Sequence, residues 1–441
     1  LKKQNIAVIG SGVSGLSAAW LLSKRHTVTL FEKAGYAGGH ANTVTVETRD
    51  GAIPVDTGFI VFNDKNYPNL KALLAHLRVA CIDTKMSFSL THDFGRYEYA
   101  GSGKGFFGQR SNLVNVHHWM MLREINRFFR DSSRRITLYH KDTALGAFLE
   151  KEHYSRDFID EHIVPMGAAI WSTSVQQMLE FPARSFIDFY ANHGLLQFRR
   201  RPLWKTVAGG SRTYVDRLIE DGDFELRLNS NIAHIHRRPD KVLIETADGV
   251  LHLFDHVVFA THADQALGLL GDADPVEKAL LSAFPYQKNT AVLHRDERWM
   301  PKRSRLWSAW NYIKTGSDGD NGLCVSYWMN RLQSLATSEN IFVTLNPSQE
   351  IRADRIDRVL EYDHPVFTAA AFRAQDEMQT VQGYRRTWYC GSYLGYGFHE
   401  DGLASGLTVA EELGGIARPW ASDDDFTGKR DVAERYRQVA E

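Results

Sequence analysis

Gly10, Gly12 and Gly15 stand between an apolar run at residues 6–9 and a stretch in which Leu16, Ala19, Leu21 and Leu22 recur at helical spacing. A buried strand, a glycine turn and a helix in that order form a phosphate cradle. The first glycine permits the tight turn, the second lets backbone approach a pyrophosphate, and the third lets the helix pack on the strand. Val13 and Ser14 open the helix, whose N-terminal amides and dipole hold anionic oxygens. A second apolar run at residues 28–31 ends in Glu32, twenty-two positions after Gly10, close to the roughly 20 expected of an acid that binds ribose hydroxyls. Glu32 and the adjacent Lys33 complete a dinucleotide-binding unit.

Residues 33–43 form a second glycine-rich turn containing Gly38, Gly39 and His40, which a nicotinamide dehydrogenase does not need. At this point the chain resembles the FAD-dependent superfamily that includes amine oxidases, protoporphyrinogen oxidase and phytoene desaturase. Its members carry a GG-(R/H)-x-x-T segment beside the FAD pyrophosphate. Asp56, Thr57, Gly58 and Phe59 look like that superfamily's D-x-G segment, which implies a place near the flavin for Thr57, Gly58 and Phe59. Near the far end, residues 387–393 read as a short strand running into Gly391 and Ser392, and residues 402–410 resemble the closing helix of the superfamily. There Leu403, Ala404 and Ser405 would lie under the flavin, with the helix N-terminus stabilising negative charge on it. Between these ends, a glycine pair at 209–210, a β-hairpin and a strand ending in Ala260 and Thr261 resemble the middle FAD-binding portion. The resemblance implies an adenine contact through the backbone of Ile232.

The elements that must position these residues are therefore drawn from three stretches of chain. The expected fold is α/β: a discontinuous Rossmann-like FAD-binding domain built from residues 1–65, 205–265 and 380–415, with an amine-oxidase-like α+β substrate-binding domain from 66–204 and 266–379. Residues 416–441 are a polar C-terminal tail. Composition agrees with an enzyme of this size, at 43% hydrophobic and 24% charged, and a formal net charge of −1 gives no reason to expect nucleic acid. The three cysteines, Cys81, Cys324 and Cys390, have no metal-like spacing, so they read as reduced, buried thiols of a cytoplasmic protein and no metal is expected. No apolar stretch reaches the ~18 residues needed to span a bilayer, and a first strand that begins almost at residue 1 leaves no room for a signal peptide ahead of it.

The substrate part is rich in aromatics and carries no nucleophile elbow or HExxH pair. Flavin chemistry needs only a substrate C–H held over the cofactor, excluded solvent and a proton acceptor. Trp171, Trp204, Trp307, Trp310, Tyr312, Tyr327, Trp328, Tyr393, Tyr396 and Phe398 are candidates for an elongated apolar pocket, and each is also a candidate for ordinary core. In related amine oxidases a strand-borne lysine holds a water at the flavin. Counting back from Trp299 puts Asn289 at that position and turns Lys288 to the opposite face. Residues 395–401 also depart from the aromatic cage that selects amines. Tyr396, Asn289 and His399 are therefore the catalytic candidates, with His399 favoured over His193, His262 and His294 as proton acceptor because it lies between the last strand and the flavin-facing helix.

Segments at residues 39–44, 165–172, 192–196 and 307–312 look like a bacterial group of predicted NAD/FAD-binding proteins associated with cyclopropane-fatty-acid-synthase-like methyltransferases. That resemblance implies desaturation of a methyl-branched acyl chain of a phospholipid, a step toward furan fatty acids, with a fatty-acid methyltransferase as partner. An FAD-dependent amine oxidase and a flavin-bearing scaffold for a lipid methyltransferase are the alternatives. Lipid access would come through a membrane-facing loop and helix at residues 101–135. Phe106 and Phe107 would enter the bilayer at the inner face of the cytoplasmic membrane, and Arg123, Arg127, Arg130, Arg134 and Arg135 would meet anionic headgroups. A domain helix with solvated arginines is the other reading of the same stretch.

Overall fold

The computed structural model describes residues 2–197, 202–315 and 323–421, so residues 422–441 of the C-terminal tail lie outside the described residues. A five-stranded parallel sheet forms one half of the molecule. Its order is Glu225–Arg227, Thr27–Phe31 (β2), Asn5–Ile9 (β1), His256–Phe259 and Thr387–Tyr389. Residues far apart in sequence are thus neighbours across every pair except β1 and β2. Ile6, Ala7 and Val8 are fully buried, as expected of a central parallel strand covered on both faces.

The helix Val13–Ser23 (α1) is buried along its whole length, because the last helix, His399–Gly414, covers its outer side. Small residues make that approach possible. A Cβ on Gly406 would collide with the Ser14 carbonyl, and on the strand side of α1 one on Gly15 would collide with the Gly10 carbonyl. On the opposite face, the antiparallel meander Ile232–Arg237, Val242–Thr246 and Leu251–Phe254 packs against the sheet. It is fastened there by Arg237, whose fully buried guanidinium meets the fully buried Glu277 carboxylate through both oxygens, while Tyr389 Oη donates to the same carboxylate at 3.1 Å.

The other half is a seven-stranded mixed sheet ordered Ile356–Pro365, Tyr286–His294, Phe342–Leu345, Val325–Trp328, Trp310–Lys314, Phe88–His92 and Tyr97–Ala100. A layer of helices, among them Val116–Arg135, Val164–Trp171 and Ala183–Asn192, packs on it around one apolar core. The ribbon Thr43–Thr48 with Gly51–Asp56 leaves the nucleotide half and buries Val46, Ile53 and Val55 in this second core.

Residues 101–135 differ from the expectation. Phe106 is 7% exposed with its ring stacked on Tyr99 at 5.8 Å, and Phe107 lies against His118 and Trp119. Two aromatics in a short loop find more contact in the neighbouring core than in water, so neither is presented outward. The helix turns Met121, Ile125 and Phe128 into the same core. Arg127 stacks over Tyr154 at 3.9 Å, while Arg130 pairs with Asp131 and Arg135 with Glu152. The helix packs as a domain helix along its Met121, Ile125 and Phe128 face, and Arg127, Arg130 and Arg135 are paired within the fold. No helix among the described residues is long and apolar enough to cross a membrane.

Candidate active site

The two glycine turns meet at the C-terminal ends of the central strands of the parallel sheet. Gly10 has φ +97° and abuts Ala260 and Thr261, a Cβ on Gly39 would stand 3.1 Å from Gly12 Cα, and Gly38 N donates to the Ser11 carbonyl at 3.0 Å. Glu32 Oε2 accepts from the Ser11 amide and hydroxyl at 2.9 and 2.7 Å, and Oε1 from the Ala34 amide at 2.8 Å. The carboxylate is fixed in place by three donors and keeps about one acceptor site, on Oε1, for a further donor. The Ser230 amide bonds to the Glu32 carbonyl, which draws the start of the Ile232–Arg237 strand toward the same acid. Lys33 follows on the exposed side of that turn.

These residues fit the expected dinucleotide. No side chain caps the first amides of α1, and a Cβ on Gly12 would meet only open space. Val13 and Ser14 are buried where α1 faces the last helix. Gly391 N donates to Ser405 Oγ at 3.0 Å, Ser392 packs beside Gly402, and Leu403 is fully buried with Ala404 and Ser405 partly covered. Gly58 lies so close to the His40 carbonyl that a Cβ would collide, and Phe59 N donates to that carbonyl at 2.7 Å. Thr57 Oγ1 bonds Tyr362 Oη at 2.8 Å. Buried His40 Nε2 has no partner within the protein, a cost relieved only by a ligand or water.

Asn289 lies on the strand Tyr286–His294, opposite Tyr362. It is 1% exposed, whereas the neighbouring Lys288 is turned to solvent. Asn346 Oδ1 accepts the Thr290 amide at 2.9 Å, so its Nδ2 donates to Asn289 Oδ1 at 2.7 Å. Asn289 Nδ2 then donates to His364 Nδ1 at 2.8 Å and to the Gln287 carbonyl at 3.2 Å. Both amide orientations are assigned from backbone partners, and they force a neutral His364 to accept at Nδ1 and carry its proton on Nε2. His364 sits 5.3 Å from the His40 ring, and Tyr362 4.8 Å from it. Sequence reasoning missed His364 and Tyr362. The signal was available, since residues two apart on a strand share a face, but it required knowing that the strand Ile356–Pro365 pairs with Tyr286–His294.

This cluster is uncharged at neutral pH. Burial brings His364 down to about 4 and His399 to about 3. It also holds His40 well below its ordinary value, with the neighbouring imidazoles His364, His262 and His399 adding to the effect. His399 Nε2 is bonded to Tyr214 Oη at 2.6 Å and its ring is stacked on Phe59 at 3.8 Å, which leaves only Nδ1 for a ligand. Of the other histidines considered, His294 is fully buried against Thr344 in the second sheet, and His262 stacks on Tyr286.

Tyr396 and Phe398 join Trp171, Phe189, Phe372 and His193 in one aromatic wall. Ring centroids are 4.7 Å apart for Trp171 and Phe189, 4.9 Å for Phe189 and Phe398, and 5.9 Å for Phe372 and Tyr396. Trp171 Nε1 donates to the Tyr396 carbonyl at 3.2 Å, and Asp401 Oδ2 accepts the amides of Tyr396 and Phe398. The remaining candidates are elsewhere. Trp307 and Trp328 pair with each other, Trp310 packs on Tyr327, Tyr312 is core, Tyr393 packs on Phe284, and Trp204 lies on the strand Trp204–Val207.

Residues 13–413 match the family model described as flavin containing amine oxidoreductase. Among solved structures, a protein from Exiguobacterium sp. 255-15 provisionally named a protoporphyrinogen oxidase is similar at TM-score 0.68 and 14% identity, covering 94% of this chain and 99% of that one. A CLA-producing fatty acid isomerase from P. acnes is similar at TM-score 0.64 and 16% identity, covering 91% and 97%. A putrescine oxidase bound to putrescine gives 0.66 and 13%, covering 93% and 99%. No curated protein matches the chain by sequence.

Proposed function

The chain belongs to the flavin-containing amine oxidoreductase family and is an FAD-dependent oxidoreductase; within that class, we propose that it desaturates an acyl chain of a membrane phospholipid, with a methyl-branched chain as the preferred substrate. The observation that carries this reading is the character of the site. Asn289 occupies the inward position, Lys288 points to solvent, the surrounding imidazoles are neutral, and the wall beside them is aromatic. An ammonium substrate would find ring faces in that wall but no unengaged carboxylate beside it, because Asp401 already accepts two backbone amides. A saturated chain loses nothing on entering such a wall.

When bound, FAD supplies the two-electron acceptor. The chain's own residues hold the substrate, exclude water and manage protons. Asn346 and Asn289 fix His364 as an Nε2–H donor toward developing negative charge. His40, with its unpartnered Nε2, and His399, through Nδ1, are the imidazoles available for the proton lost from the neighbouring carbon. A structural relative named as a fatty acid isomerase supports the view that this fold accommodates an acyl chain. The segments that resemble the methyltransferase-associated bacterial group support the methyl branch, and a fatty-acid methyltransferase as the partner that would supply it.

Anaerobic titration of the holoprotein with detergent-dispersed phospholipids, side by side with putrescine and benzylamine, tests the reading. Methyl-branched phospholipid should bleach the flavin and emerge two hydrogens lighter. Bleaching by amines alone would establish the amine oxidase reading instead. No bleaching by either, together with stable association with a lipid methyltransferase, would favour the scaffold.

A further inference from the structure

Five large apolar side chains, Leu113, Val114, Val116, Trp119 and Met120, are 48–84% exposed within eight consecutive positions. The described residues expose eight others, of which Val250, Leu251 and Leu253 are grouped, so five within eight positions is the largest such concentration among the described residues and not ordinary surface. The fold holds it rigidly. Asn115 caps the helix Val116–Arg135 by accepting the amides of His117 and His118, Trp119 Nε1 donates to the Leu113 carbonyl at 3.0 Å, and the Phe107 ring supports Trp119 at 4.8 Å. Val116 and Met120 are one helical turn apart and share a face.

The charge around the patch has one sign. From Gly101 to Arg123 the chain has no acidic residue, and Lys104, Arg110 and Arg123 are exposed with no carboxylate partner among the described residues. Arg305 adds a fourth exposed cation, its Nε bonded to the Gly108 carbonyl. Asp157 is the acidic neighbour, and it is paired with His117 at 2.8 Å. We propose that this patch is a monotopic docking surface for an anionic phospholipid bilayer, in which Leu113, Val114, Val116, Trp119 and Met120 enter the interface while Lys104, Arg110, Arg123 and Arg305 meet headgroups. A bilayer rich in anionic lipid satisfies both features at once.

Sedimentation of the holoprotein with vesicles tests this without turnover, so it stands or falls apart from the substrate reading. Wild-type protein should sediment with phosphatidylglycerol/phosphatidylethanolamine vesicles, far less with phosphatidylcholine vesicles, and progressively less as salt is raised. A Val114→Ser, Val116→Ser variant should keep its flavin spectrum and melting temperature but lose about tenfold or more in vesicle affinity. A Lys104→Gln, Arg110→Gln, Arg123→Gln variant should lose its preference for anionic lipid. Wild-type protein that stays in the supernatant with anionic vesicles, or a valine variant that binds them equally, overturns the proposal. So does concentration-dependent self-association abolished by the valine changes, which would make the patch an interface between copies of this chain.

Discussion

Replacing Asn289 by aspartate changes the proton inventory beside the flavin site while nearly preserving shape. In the wild type, Asn289 donates to His364 Nδ1 and burial keeps that imidazole at about 4, so it is neutral from pH 5 to pH 8. A carboxylate in the same place can only accept, so His364 must turn its proton toward it. The adjacent negative charge then favours the imidazolium, by roughly 1–3 pKa units. The expected value is about 5–7. For stability the sign is as follows: a histidine whose folded pKa lies below its unfolded value of about 6.5 binds fewer protons when folded, so stability is lost as pH falls from 6.5 toward 4. For His364 that loss reaches about 2 kcal/mol at pH 5, and the aspartate should relieve from about 0.4 kcal/mol of it at the lower end of that range to all of it at the upper end. Urea midpoints at pH 7.5 and 5.0 for wild type and Asn289→Asp report on the coupled pair of position 289 and His364, because the other buried histidines are common to both. Anaerobic flavin reduction should acquire a new limb near pH 6 in the variant. Superimposable pH profiles for two folded proteins would refute the tautomer assignment.

Glu32→Gln should weaken FAD binding by about 1–3 kcal/mol, read as the apparent dissociation constant in flavin fluorescence titration; unchanged affinity would remove Glu32 from the cofactor site. Trichloroacetic acid should release all flavin into the supernatant, because Cys390 is fully buried with its thiol pushed up by burial and is not poised to attach a cofactor. Glu277→Ala should destabilise the protein by about 3–5 kcal/mol by stranding the buried Arg237 guanidinium. Glu277→Leu with Arg237→Met should recover much of that loss in denaturant melts.

The nucleotide half was legible in the sequence because its chemistry is local. Gly10, Gly12, Gly15 and Glu32 lie within one strand-turn-helix-strand unit; steric need within the fold fixes glycine at Gly10 and Gly15, while Gly12 leaves open space for a ligand. The orientation of Lys288 and Asn289 was also legible, since a strand alternates its faces and a single reference residue sets the register. What the tertiary structure alone decided was long-range pairing. His364 enters the site because the strand Ile356–Pro365 lies antiparallel to Tyr286–His294, a choice made by the whole seven-stranded sheet. His399 is tied to Tyr214, and Glu277 to Arg237, across 185 and 40 positions. Exposure was the other unreadable quantity. Phe106 and Phe107 found partners in a core assembled from distant segments, while Val114 and Val116, equally apolar in sequence, found none and remain at the surface. Periodicity reports which side chains share a face, but only the assembled neighbours determine whether that face is covered.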